Sequence, residues 1–73
     1  MSDIKRSVRI QGHRTSIALE PEFWEALKEI ALAQGLSLNA LIARVDGERG
    51  TANLSRALRV FVLAHYREKT RDT

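Results

Sequence analysis

Residues 14–19, Arg14-Thr15-Ser16-Ile17-Ala18-Leu19, alternate between the two sides of a pleated chain. Side chains of a strand point to opposite faces in turn, so Thr15, Ile17 and Leu19 share one face and Arg14, Ser16 and Ala18 the other. Ile17 and Leu19 belong in a core, which turns Arg14, Ser16 and Ala18 outward. Residues 7–11, Ser7-Val8-Arg9-Ile10-Gln11, alternate in the same way, and Gly12 marks a bend or bulge between two short extended pieces. A strand followed only by helices leaves a row of backbone donors and acceptors unused. The simplest completion is a second copy, paired strand to strand across a two-fold axis.

The period then changes to that of a helix. Pro21 suits the first helical position, where a missing N–H costs nothing, and Glu20, Glu22 and Glu25 put negative charge near the positive helix end. Phe23, Leu27, Ile30 and Ala31 form an apolar stripe with Trp24 on its flank, and Gly35 supplies the C-terminal stop, giving a first helix over residues 21–34. Ser37 is a good N-cap for a second helix, with Leu36 packing on Leu41 as a hydrophobic staple. Leu38, Leu41, Ile42 and Val45 form its buried face, and Asp46-Gly47 with Gly50 end it after about nine or ten residues. Asn53 caps a third helix carrying Leu54, Leu58, Phe61, Val62 and His65 along one side, widened by Ala57, Val60 and Ala64. The polar stretch after Glu68 reads as a frayed tail.

Size narrows the possibilities. A chain of 73 residues makes one domain and buries little surface unless a disulfide, a metal or a partner subunit assists it. There is no cysteine, and His13 and His65 are the only imidazoles, so no metal site is expected and oligomerisation remains. The apolar runs fall well short of the roughly 20 residues that span a bilayer, and no signal-peptide core is visible, so the expectation is a cytoplasmic protein without membrane contact. The formal charge of +3 is unevenly spread. Lys5, Arg6, Arg9 and Arg14 stand against Asp3 in residues 1–19, whereas Glu20, Glu22, Glu25 and Glu29 stand against Lys28 in residues 20–36. A basic strand region attracts phosphates while the acidic helix faces away; a merely solubilising surface has the same composition.

The strand, the Leu19-Glu20-Pro21-Glu22 helix start, and Gly35-Leu36-Ser37-Leu38-Asn39-Ala40-Leu41-Ile42 together resemble the ribbon-helix-helix family of DNA-binding proteins. The resemblance covers residues 13–46, and its most specific part is the glycine turn followed by Ser-x-Asn-Ala-x-Ile. Asn53-Leu54-Ser55-Arg56-Ala57 and Lys5-Arg6-Ser7-Val8 are similar to a group of small family members common in alphaproteobacteria. The implied architecture is mainly α with a short N-terminal β-ribbon: a homodimer with an additional C-terminal helix. Residues 1–12 are then a basic extended leader, 13–46 the ribbon-helix-helix core, 47–68 a loop and third helix, and 69–73 the tail.

The resemblance also implies roles. Arg14, Ser16 and Ala18 would face the bases of double-stranded DNA in the major groove, with Arg14 the strongest reader. Ser37, Leu38 and Asn39, at the start of the second helix, would hold a phosphate. Lys5, Arg6 and Arg9 would add a basic arm touching the backbone. Ile17, Leu19, Leu27, Leu41 and Ile42 would form the dimer core, and tandem dimers would occupy repeated half-sites. A transcriptional repressor associated with the nucleoid follows, needing no cofactor. The chain departs from the plain pattern at Gly47, in its third helix, and at Ala18, where a polar reader is more usual.

A second reading remains open: an antitoxin-like or adaptor protein that docks a second protein through its terminal helix, with Trp24 and Tyr66 as surface anchors. An enzyme is not expected, because His13 and His65 have no Ser, Cys or carboxylate partner at a motif spacing.

Overall fold

The computed structural model describes residues 3–71. Strands β1 (Ile4–Ile10) and β2 (His13–Leu19) precede helices α1 (Pro21–Ala33), α2 (Leu38–Glu48) and α3 (Leu54–Arg71). β1 and β2 pair antiparallel with each other, Ile4 opposite Leu19 through to Ile10 opposite His13. β2 therefore has a partner on one edge within its own chain, which corrects the expectation that no strand of the same chain pairs with it, while its other edge carries no strand among the described residues. Residues 4–10, expected as a leader, are its other strand. The cause is the turn: Gln11 and Gly12 have φ of 51° and 83°, and positive φ at both central residues is what a type I′ hairpin turn demands. Glycine meets that demand without strain, while Gln11 is not one of the residues that usually advertise such a turn.

β1 lies against α2, β2 against α3, and α1 packs on both of the other helices. The core draws Ile10, Ile17 and Leu19 from the ribbon, Trp24, Leu27, Ile30 and Ala31 from α1, Leu41, Ile42 and Val45 from α2, and Leu58 and Val62 from α3. Ile17, Leu19, Leu27, Leu41 and Ile42 are each at most 1% exposed in a single chain. They lie in the core of the single chain. Trp24 is equally buried and its indole N–H donates to the Ile4 carbonyl at 2.9 Å, so it is a centre of the core and not a surface anchor.

Local signals account for the helix ends. The Glu20 carbonyl accepts from Phe23 and Trp24 N–H, and Pro21 opens α1. At its other end Leu36 N–H bonds to the Ala31 carbonyl and Gly35 N–H to that of Leu32, the paired closure of a Schellman motif. Ser37 Oγ accepts from Ala40 N–H at 3.0 Å, and Asn53 Oδ1 from Arg56 N–H at 3.2 Å. α2 runs through Gly47, expected as its stop, to Glu48; Arg49 bonds Asp46 at 2.7 Å across its last turn, and the chain turns at Gly50, where φ is +63°. α3 continues to Arg71, past the expected fraying point, because Glu68, Lys69 and Arg71 are all good helix formers and nothing in that stretch breaks a helix. Residues 72–73 of the expected tail lie outside the described residues.

Candidate nucleic-acid interface

The hairpin register sorts the ribbon side chains by face, since directly opposed residues point the same way. Ile10, Ile17 and Leu19 turn into the core with Val8 half-buried beside them. Arg6 lies on this inner side, opposite Ile17, with its guanidinium 5.2 Å from the Trp24 ring centre. It is thus separated from Lys5 and Arg9, with which the sequence grouped it, and makes a cation–π contact with the core tryptophan.

The outer face consists of three opposed pairs: Lys5 with Ala18, Ser7 with Ser16, and Arg9 with Arg14. All are exposed except Ala18, which is half-buried. Arg9 directly faces Arg14, and like charges opposed across a ribbon destabilise it. Among the described residues no carboxylate lies within ion-pair distance of Lys5, Arg9 or Arg14. The acids near the ribbon base are engaged elsewhere: Arg59 Nε bonds Glu20 at 2.9 Å, and its other arm is 3.8 Å from Asp3. The hydrogen bond from Arg59, aided by one from the backbone, holds the Glu20 carboxyl below its ordinary range. The result is an exposed strip with positive charge, two hydroxyls and, among the described residues, no carboxylate counter-ion.

The α2 N-terminus sits beside this strip. Asn39 Nδ2 donates to the Arg9 carbonyl at 2.7 Å, tying the first turn of α2 to β1 just before the hairpin turn. Ser37 Oγ is occupied as an N-cap, and Leu41 N–H bonds the Ser37 carbonyl. The helix itself leaves the N–H groups of Leu38 and Asn39 without partners, where an anion can bind. The structure therefore brings Arg14, Ser16, Ala18, Lys5 and Arg9 onto one face, with Ser37, Leu38 and Asn39 at its edge. Ser7 belongs to the same face and was missed; the alternation of residues 7–11 was its signal, once joined to β2 through a tight turn.

These elements, in this order, match the profile of the ribbon-helix-helix domain family over residues 3–66. The chain belongs to that family. The match takes in β1 and most of α3 as well as the segment from β2 to α2. Ribbon-helix-helix proteins are typically DNA-binding transcription regulators and typically bind double-stranded DNA as dimers; the fold is regulatory and not enzymatic. The solved structure of an uncharacterized protein from Bordetella pertussis Tohama I is similar to this ribbon-helix-helix chain at 34% identity, with a TM-score of 0.83, over 97% of this chain. This chain spans 61% of that one. No curated protein sequence matches it. Among the described residues, no helix is long and apolar enough to cross a membrane, and no cluster of three or more His, Cys, Asp or Glu could hold a metal ion.

Proposed function

We propose that this chain is a sequence-specific DNA-binding regulator, a repressor by occupancy of its operator in the cytoplasm, that lays the outer face of its own hairpin in the major groove. The observation that carries this reading is the Arg9–Arg14 pair, opposed on an exposed face and lacking any carboxylate neighbour among the described residues. DNA phosphates and guanine edges supply the negative charge that the protein itself withholds. Arg14 pairs with guanine O6 and N7, Ser16 and Ser7 donate or accept, and the Ala18 methyl lies against thymine. Lys5 and Arg9 neutralise phosphates, while the N–H groups of Leu38 and Asn39 clamp the backbone at the ribbon edge.

Asn39 has a further part in this reading. Its side chain is already bonded to the Arg9 carbonyl, so it sets the angle between ribbon and clamp while its backbone N–H meets the phosphate. Each hairpin keeps an open edge on β2, and a homodimer brings two such ribbons to the DNA.

Selection of genomic fragments by the purified protein at roughly physiological salt, followed by sequencing, tests the proposal, because weak nonspecific contacts are suppressed there. A short palindromic or repeated site is the expected product. Flat recovery would overturn sequence-specific regulation and favour the adaptor reading, to which the exposed Val60 and Leu63 of α3 lend a specific observation.

A further inference from the structure

Each helix fastens the hairpin with a polar side chain. Trp24 of α1 donates to the Ile4 carbonyl at 2.9 Å, and Asn39 of α2 to the Arg9 carbonyl at 2.7 Å, so β1 is held near both its ends. β2, which carries Arg14 and Ser16, is held at its end from α3, by Arg59. The Arg59 Nε donates to Glu20 at 2.9 Å and its Nη2 is 3.8 Å from Asp3. Asp3 and Glu20 flank the Ile4–Leu19 pair, so one side chain bridges the open end of the hairpin while the Gln11-Gly12 turn closes the other.

Arg59 is itself placed. Its side chain is only 34% exposed, and its guanidinium lies 6.0 Å from the Phe23 ring centre. A planar guanidinium donates in fixed directions and so transmits orientation, whereas the apolar packing of Ile17 and Leu19 beneath β2 is non-directional. With β1 fixed at two points, the polar contacts of α1 and α2 leave one motion open, a roll of the hairpin about β1. That roll displaces Arg14 and Ser16 most. A binding constellation has to be held within about 0.5 Å and 10–20° of its productive geometry by its supporting contacts. Directional bonds to base edges fail on such a displacement, but Coulomb attraction to phosphates hardly changes.

We infer that Arg59 is a positioning residue for base reading: through Glu20 and Asp3 it couples α3 to the hairpin base and sets the roll of the outward face of β2. The inference rests on the ribbon reading proposed above. It gives the third helix a part in DNA recognition that needs no contact with DNA.

The test uses the purified full chain, the DNA site it selects from genomic fragments, and a scrambled duplex of the same length. Arg59→Met is expected to weaken binding to the selected site roughly threefold for each protomer, about tenfold for a dimer, because partly exposed ion pairs are individually weak. Binding to the scrambled duplex and the salt slope are expected to stay as in the wild type. Glu20→Ala separates positioning from charge. The Glu20 side chain makes no cap bond, and removing an acid strengthens DNA binding if charge alone matters; the positioning role predicts weaker binding to the selected site. The double variant is expected to lose no more than Arg59→Met alone. Unchanged site affinity in Arg59→Met, additive losses, tighter site binding by Glu20→Ala, or a salt slope lowered by about 1.8, which would make Arg59 a phosphate contact of each protomer, overturns the inference. Amide hydrogen exchange without DNA tests the coupling by itself: Arg59→Met is expected to speed exchange at the Ile4–Leu19 end of the hairpin and not in α2, and unchanged exchange overturns it. A wild type that selects no site is a failure of the ribbon reading, and the exchange result then decides the coupling alone.

Discussion

The two faces of the hairpin share fourteen strand residues and one turn, yet their fates are opposite. On the inner face Ile10, Ile17 and Leu19 are buried, and even its arginine, Arg6, is laid on the Trp24 ring. On the outer face Lys5, Arg9 and Arg14 have no carboxylate partner among the described residues, and two of them stand opposed. Electrostatic cost is thus kept on the side where an external anion can relieve it. The difference teaches that strand parity, more than residue type, separates the stabilising residues from the binding ones. Arg6 and Arg9 are close in sequence and both basic, but the pleat assigns them to different tasks.

The strongest way to break this division is to place a charge on the inner face. Ile17→Lys is expected to cost about 4 kcal/mol or more, enough to unfold a small domain, and loss of the cooperative thermal transition would register it. A folded, stable variant would mean that the two faces are reversed. On the outer face Arg14→Ala is expected to leave the melting curve nearly unchanged and to cost about 1–3 kcal/mol of discrimination at one base pair, read by competition between operator variants.

Asn39→Ala sharpens the comparison at the edge of the ribbon. Loss of its bond to the Arg9 carbonyl is expected to weaken specific binding while the dependence of affinity on salt keeps its slope, because the variant retains its backbone N–H and removes no cation. A changed slope would mean that the side chain also holds Arg9 in register with its phosphate. The smallest effect concerns acid. Glu20 has its folded pKa lowered by the Arg59 hydrogen bond, so its contribution to stability is present above its unfolded pKa and is lost as pH falls through the folded value. Arg59→Met is expected to flatten that acid limb of a stability–pH profile relative to the wild type.

Much of the fold was legible because it is written in local chemistry. Pro21 and the Gly35 closure bound α1, the Ser37 and Asn53 caps start α2 and α3, and the parity of residues 14–19 gave the outward set. The hairpin was not legible, since Gln11-Gly12 lacks the Asn or Asp that usually announces a type I′ turn. That single missed turn hid the pairing partner of β2, the place of Ser7, and the inward position of Arg6. Trp24 was read as flanking because helical periodicity gives a face but not the depth of what packs on it; β1 covers it through the Ile4 carbonyl. Asn39 was recognised by its place in a motif, whereas its bond to a residue thirty positions away could come only from the tertiary structure.

The central claim, that the outer face of the hairpin and not the inner one meets DNA, is tested most directly by the salt dependence of binding in paired variants. Arg9→Ala is predicted to reduce the slope of log affinity against log salt by about 0.9 for each protomer, about 1.8 for the dimer, while Arg6→Ala leaves the slope unchanged and costs only about 0.5–1 kcal/mol of stability. Equal slopes for the wild type and Arg9→Ala, or a reduced slope for Arg6→Ala, would contradict the account.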